Sequence, residues 1–359
     1  MPHRPFFTTL LRMKIALDAM GGDSAPASTV AGAWEALKKY PDIEIILVGD
    51  QARIEKELAH LGALPLHKRF SILHASQVVD MGDSATDAVR RKKDSSISRA
   101  MELLAKGGAD ALVSAGHTGA LVTAATIRLR MLPGVERPGI AAIMPANDHF
   151  FLVLDAGANV DCDPQHLLHY GIMGSVYSRE VLKCKSPRVG LMNIGKEPNK
   201  GNDLTKAAYK LLSAAPINFI GNVEGHDLFD EGVDVVVCDG FVGNVMLKSA
   251  ERLAKAISGW LRSEMTKNPM RAAGGMLARS AFSSVKRRTS AEEYGGQPLL
   301  GVNGICIKAH GNSSAKAIKN AIRAAREAVT QKVNPSIVAE IARYNESLQA
   351  VTTNGKHAT

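Results

Sequence analysis

The sequence predicts an α/β protein built on a largely parallel, mixed sheet. Three observations carry that expectation. Strand-length apolar runs alternate with helix-length periodic stretches, the pattern of βαβ units. Phe151–Leu154 follows Pro145-Ala146-Asn147-Asp148 at hairpin spacing, which adds an antiparallel pair. Apolar runs also end repeatedly in clusters of Gly, Asn, Asp or His: Asp18-Ala19-Met20-Gly21-Gly22-Asp23, Ser114-Ala115-Gly116-His117-Thr118-Gly119, Asp155-Ala156-Gly157-Ala158-Asn159, Asn193-Ile194-Gly195, Gly221-Asn222-Val223-Glu224-Gly225, Asp239-Gly240-Phe241-Val242-Gly243-Asn244 and Ala309-His310-Gly311-Asn312. In an open α/β sheet the ligand crevice lies beyond the carboxyl ends of the strands. Glycine there lets backbone N–H groups approach a ligand, and a following helix start favours an anion. The series reads as one crevice for an anionic or polar substrate. The alternative is that strand-to-helix turns use Gly and Asn in any case.

The elements follow in order. Lys14–Asp18, Ile43–Val48, Phe70–His74, Ala111–Ser114, Ala141–Met144, Phe151–Leu154, Val189–Asn193, Asn218–Ile220, Val233–Cys238 and Ile305–Ala309 read as strands. Ser28–Lys39, Ala52–Leu61, Ser96–Lys106, Thr118–Leu129, Asp163–Val181, Asp203–Ala214, Gly243–Ser263 and Ser313–Lys332 read as helices. Asp94-Ser95-Ser96 and Asn312-Ser313-Ser314 supply capping side chains to the helices after them. Residues 1–12 read as a dispensable extension, 13–345 as a single catalytic domain, and 346–359 as a tail.

The segment 250–289 departs from this rhythm. It holds no strand, and Leu253, Ile257, Trp260 and Leu261 recur at helical spacing before Asn268-Pro269 interrupts. Basic residues flank it, among them Arg252, Lys255, Arg262, Arg279 and Arg287. A helical hairpin with an apolar tip is expected. It either lies in an anionic membrane interface or packs on the core or a second subunit.

Composition narrows the function. In 359 residues, 45% are apolar, which suits a substantial core. The four scattered cysteines form no C-x-x-C pair, so neither a disulfide framework nor a zinc site is expected, and a cytoplasmic setting is the simplest. The formal charge of +9 favours an acidic partner. Basic residues interleaved with aromatics are missing, so nucleic acid is not an expected partner. No apolar run approaches the roughly 18–20 residues that span a bilayer. Walker-type, dinucleotide, serine-elbow and H-E-x-x-H motifs are all lacking.

What remains is carboxylates, amides, histidines and two loop lysines. Lys196 and Lys200 lie in Gly195-Lys196-Glu197-Pro198-Asn199-Lys200-Gly201, where a lysine either pairs with phosphate or is simply solvated. Asn193 either donates to a substrate oxygen or caps its turn. His117 stands where a helix begins, a place that favours neutral imidazole; it either serves an oxyanion or proton, or only bonds its loop. Asp239 and Asn244 either orient reacting groups or, for Asp239, cap a helix. Glu224 is a base or a partner for a nearby lysine. Cys238 and Ser114 are the plausible nucleophiles near these clusters, and neither has an adjacent base, so direct displacement is favoured.

Taken together with Arg91-Lys92-Lys93-Asp94-Ser95-Ser96 and Gly301-Val302-Asn303-Gly304, the strand-end clusters closely resemble the bacterial phosphate acyltransferases of phospholipid synthesis, from Met13 to about Tyr344. The resemblance implies a three-layer α/β/α sandwich with a mostly parallel mixed sheet, like phosphotransacetylases and isocitrate-dehydrogenase-type enzymes, with 250–289 projecting. It implies a homodimer, peripheral membrane contact, and acyl transfer from acyl-acyl carrier protein to inorganic phosphate, without metal or other cofactor. Lys200 is then expected to hold phosphate, His117 and Asn193 the oxyanion or leaving thiolate, and Asp239 and Asn244 to orient both. The clusters and motifs supply the expected substrate-binding residues: Asp18, Gly21, Gly22, Asp23, Lys93, Ser96, Gly116, Asp155, Asn159, Glu224, Gly240, Asn303 and His310. A phosphotransacetylase-like enzyme using short-chain acyl-CoA and a non-catalytic scaffold for carrier protein are the competing readings. A dehydrogenase of the same general fold fits less well, since no metal-binding carboxylate set is evident.

Overall fold

The computed structural model describes residues 12–63, 67–230 and 232–355. Residues 1–11 of the expected extension and 356–359 of the expected tail lie outside them. The chain divides into two compact units, Met1–Ala124 with Cys306–Arg326 and Ala125–Ile305 with Glu327–Thr359. The elements run β1 (Met13–Asp18), α1 (Ala27–Lys39), β2 (Ile43–Gly49), α2 (Gln51–His60), β3 (Phe70–His74), α3 (Ala85–Arg91), α4 (Ser96–Ala105), β4 (Ala111–Ser114) and α5 (Thr118–Arg128). Next come β5 (Gly139–Ile140), β6 (Ala142–Pro145), β7 (Phe150–Leu154), α6 (Pro164–Glu180), β8 (Val189–Met192), α7 (Asp203–Ala214), β9 (Phe219–Val223) and β10 (Val235–Val237). The last are α8 (Gly240–Met265), α9 (Pro269–Leu277), α10 (Arg279–Thr289), β11 (Gln297–Leu300), β12 (Ile305–Lys308), α11 (Ala315–Thr330) and α12 (Val333–Gly355).

In the first unit the strands run β3-β2-β1-β4-β12. β1 pairs parallel with both β2 and β4, setting Asp18 beside Val48 on one side and Ser114 on the other. Ile15, Ala16 and Leu17 are fully buried, as are Ile45, Leu47 and Val113. A continuous apolar run of this kind belongs to a strand covered on both faces. Asp18 and Ser114 thus end up side by side at the carboxyl end of the sheet. The N-terminus of α4 is set by Ser95, whose side chain accepts from Ser98 N–H, as its capping motif predicts.

In the second unit the order is β6-β7-β10-β8-β9, parallel except for the expected β6–β7 hairpin pair. β11 pairs antiparallel with β5. Helix α6 is buried on nearly every side, from His166 to Ser178, against a core that includes Leu152, Leu154, Val235 and Leu212. Its start is built from local chemistry: Pro164 at the first turn, with a capping box between Asp163 and His166.

Most expected elements recur within a few residues. β5, β11, α3 and α12 have no counterpart in the sequence reading. β5 is two residues long and β11 contains Pro298, so neither shows a strand-length apolar run. α3 is short and its Ser84 cap makes no side-chain bond. α12 runs through Gly355, so most of the segment expected as a tail is helix.

The segment 250–289 is helical, as expected, in α8, α9 and α10. Asn268 caps α9 by accepting from Arg271 N–H, with Pro269 at its first position, which explains the break after α8. Leu253, Ile257 and Trp260 are half or more exposed, and Leu277 is 88% exposed. That excludes the reading in which this stripe packs on the chain's own core. None of the described helices is long and apolar enough to cross a membrane.

Candidate active site

In the first unit, Asp18 is fully buried at the end of β1. Its carboxylate accepts from Ser114 Oγ at 2.7 Å and from Met20 N–H at 3.3 Å, with Ser96 and the Gly21 N–H also bonded to it. Ser114 Oγ in turn accepts from Gly116 N–H at 3.1 Å. Burial pushes the Asp18 pKa above the ordinary carboxylate value, while those hydrogen bonds pull the other way. Gly21 is required here by close approach. A Cβ on it would meet Gly116 N at 2.5 Å and Asp18 Oδ2 at 2.7 Å. Gly22 takes φ 111°, and Asp23 N–H donates to Gly311 O, tying two strand-end turns together.

Asp18, Gly21, Ser96, Ile97, Gly116 and His117 line a small recess, closed on another side by Val78 and Val79. His117 Nδ1 accepts from Ala120 N–H at 3.0 Å, at the first turn of α5. That bond occupies Nδ1 as an acceptor, so neutral His117 carries its proton on Nε2 and offers it as a donor. His117 thus bonds its helix start with one nitrogen, the loop-bonding alternative of the sequence reading. Lys93 is exposed, whereas Lys92 is half-buried and bonded. His310 lies beside Gly311 at the end of β12 and is partly buried.

In the second unit, Asp155 is wholly buried after β7. It accepts from Ile140 N–H at 2.9 Å, Gly157 N–H at 3.0 Å, Ala158 N–H at 2.9 Å and Asn159 N–H at 2.7 Å. Burial raises its pKa, opposed by those donors. Its oxygens are engaged by backbone donors of this turn and of Ile140, which fixes the shape of the turn. Asn159 is likewise engaged, donating to Tyr170 Oη at 2.8 Å. Asp239 caps α8 by accepting from Val242 N–H at 2.8 Å, the capping alternative of the sequence reading. Gly240 N–H donates to Asn159 O, and exposed Asn244 lies against Gly157. Cys238 is buried with Sγ on Asp155 O at 3.5 Å, and burial holds its thiol well above the ordinary value.

A third group surrounds the loop after β8. Asn193 Oδ1 accepts from Ile194 N–H at 2.8 Å and its Nδ2 donates to Lys200 O at 3.1 Å, so this amide pins the loop, as its turn-capping alternative held. The two lysines differ. Lys196 pairs with Asp227 at 2.9 Å, whereas exposed Lys200 has no ion-pair partner among the described residues. Glu224 N–H donates to Asp227, and Glu224, His226 and Asp227 bring ligand atoms within 4.8 Å of one another. That cluster is half-open and its Asp227 already serves Lys196. Asn303 is exposed, with its N–H on Arg130 O.

Neither candidate nucleophile is available. Ser114 is fully buried with its hydroxyl committed to Asp18, and Cys238 is a buried, protonated thiol.

The fold is of the phosphotransacetylase kind. EutD phosphotransacetylase from Staphylococcus aureus superimposes with a TM-score of 0.55 at 17% identity, covering 92% of this chain and 94% of that one. A phosphotransacetylase from Streptococcus pyogenes gives 0.56 at 16% identity over the same shares. The family described as fatty acid synthesis protein matches residues 13–336. A phosphate acyltransferase from Pelotomaculum thermopropionicum is 49% identical over 329 residues, 92% of this chain and 95% of that protein. One from Desulforamulus reducens is 50% identical over 325 residues, 90% and 96% of the two. The chain belongs to the phosphate acyltransferase family, and it is an acyltransferase.

Proposed function

We propose that the protein transfers a fatty acyl group from the thioester of an acyl carrier protein to inorganic phosphate, giving acyl-phosphate for phosphatidic acid synthesis. The observation that carries this reading is the contrast between the loop lysines: Lys196 pairs with Asp227, while Lys200, on a loop held by Asn193, has no ion-pair partner among the described residues. Such a lysine suits inorganic phosphate, whose second pKa lies near neutrality, somewhat above the roughly 6 of phosphomonoesters, so the dianion is well populated at neutral pH.

A phosphate oxygen attacks the thioester carbonyl carbon, and the tetrahedral oxyanion collapses with loss of the carrier thiolate, which takes up a proton. The burial of Ser114 and Cys238 supports direct attack over a covalent enzyme intermediate. The Nε2–H of His117 donates to the oxyanion or protonates the leaving sulfur; one such donor is worth roughly 3–4 kcal/mol. Asn244 binds a substrate oxygen. The +9 charge supports an acidic carrier protein as donor. The exposed Leu253, Ile257 and Trp260 of α8 support pairing with a second copy of the chain, read by sedimentation velocity.

The deciding assay supplies palmitoyl-acyl carrier protein with and without phosphate and traps product with hydroxylamine. Phosphate-dependent hydroxamate with release of carrier thiol is expected. Lys200→Ala is expected to raise the phosphate KM about 10- to 100-fold, the equivalent of one charged hydrogen bond of roughly 1.5–3 kcal/mol. Turnover of acetyl-CoA but not of the carrier thioester would move the assignment to a short-chain phosphotransacetylase, and silence with both would remove it.

A further inference from the structure

We infer that Lys92 is a positioning residue that holds the loop 78–83 in place as one wall of the His117 recess. The inference rests on the role proposed above for His117. Three acceptors converge on the Lys92 ammonium: Asp83 Oδ2 at 2.6 Å, Val78 O at 3.0 Å and Asp80 Oδ2 at 3.2 Å. Asp83 Oδ2 also accepts from Asp80 N–H at 2.8 Å. The cation therefore binds the loop by both its carboxylates and by the carbonyl of the first valine that lines the recess.

Among the described residues, the other hydrogen bonds of the stretch from Val78 to Asp83 are local ones between Asp80 and Asp83. It has no regular secondary structure, and its valines face the recess rather than a strand partner. One step upstream, Gln77 O accepts from Ser96 N–H at 3.1 Å, and Ser76 bonds Asp94 through both N–H and Oγ. Those bonds register the loop base on the start of α4, where Ser96 meets Asp18. Lys92 then fixes the far end. Without it, two carboxylates would share one site and repel, and the Val78 carbonyl would lose its donor. The Asp83 carboxyl is held low first by Lys92, then by Asp80 N–H, with His117 among the weaker influences, so the clamp acts within electrostatic reach of that imidazole. A displaced wall would release the recess beside His117. Misplacement of a reacting group by about 1 Å can lower turnover on the order of a hundredfold.

The test compares wild type, Lys92→Ala, Lys92→Arg and Asp83→Asn in the carrier-thioester assay, with backbone hydrogen exchange read over residues 76–83. Lys92→Ala is expected to lower kcat about 10- to 100-fold while both KM values stay within about threefold. Lys92→Arg, which keeps the cation, should recover most of that loss, and Asp83→Asn, which leaves Lys92 in place, should fall between. Exchange over 76–83 should quicken in Lys92→Ala and Asp83→Asn and not in Lys92→Arg. A wild-type kcat in Lys92→Ala overturns the inference. So does a rise in phosphate KM matching that of Lys200→Ala, because Lys92 would then be a ligand. If wild type turns over neither donor, the acyl-transfer reading fails; unchanged exchange in Lys92→Ala then separately overturns the clamp.

Discussion

Asp18 and Asp155 occupy the same kind of place, one in each unit, at the end of a buried parallel strand ahead of a glycine-bearing turn. Their surroundings differ in a way that decides their roles. Asp155 is held by four backbone N–H groups, three of them from its own turn. Asp18 is held largely by the hydroxyls of Ser114 and Ser96, and it borders a recess. Backbone donors cannot turn away to another acceptor, whereas a hydroxyl can rotate. A carboxylate ringed by backbone is a structural rivet. One ringed by hydroxyls can exchange partners when something enters beside it.

Removing each carboxylate breaks the comparison most directly. Asp155→Ala should lower the unfolding free energy by about 4 kcal/mol, since several buried N–H groups lose their acceptor at once. Asp18→Ala should cost about 2 kcal/mol, because its serines can find other acceptors. Denaturant unfolding of the two variants gives both numbers, and equal losses would show that the kind of donor does not matter. A third carboxylate sharpens the contrast more gently. Asp234 is half-buried yet its pKa lies low: burial raises it, but Arg188, at 3.0 Å, and the Arg188 N–H pull it down further. A depressed native pKa gives stability that is present above the ordinary carboxylate value of about 4 and is lost as pH falls through the native one. Asp234→Asn should therefore be less stable than wild type at pH 7 by about 1 kcal/mol, with the gap closing below about pH 4. Asp18, with its raised pKa, works in the opposite sense. Its protonated form is favoured by folding, so it opposes stability as pH rises above that ordinary value.

Much of the fold was readable along the chain. β3, β4 and α7 have the bounds that periodicity and capping assign to them. The hairpin pairing of β6 with β7 follows from its short polar connection. β5 and β11 were not readable because they are short pieces, defined by cross-strand pairing rather than by an apolar run. At the site, the glycine-rich turns marked where to look, and the candidate lists drawn from them mixed two populations. Asn193, Asn159 and Asp239 are spent on their own loops and helix start. His117 and Lys200 retain a donor. Nothing in the run Arg91-Lys92-Lys93 says which lysine turns inward, since the acceptors of Lys92 lie 9 to 14 residues upstream in an irregular loop.

The sequence by itself determined the alternation of strands and helices, the helix starts, the glycine turns at the strand ends and the family. Each of those is written in neighbouring residues, through side-chain periodicity and local hydrogen bonds. Tertiary structure alone decided which carboxylates are rivets, which lysine is paired, which stripe of α8 is left uncovered, and how Val78 and Val79 come to face His117. Those outcomes depend on desolvation and on partners far apart in the chain, and both exist only once the strands are laid side by side.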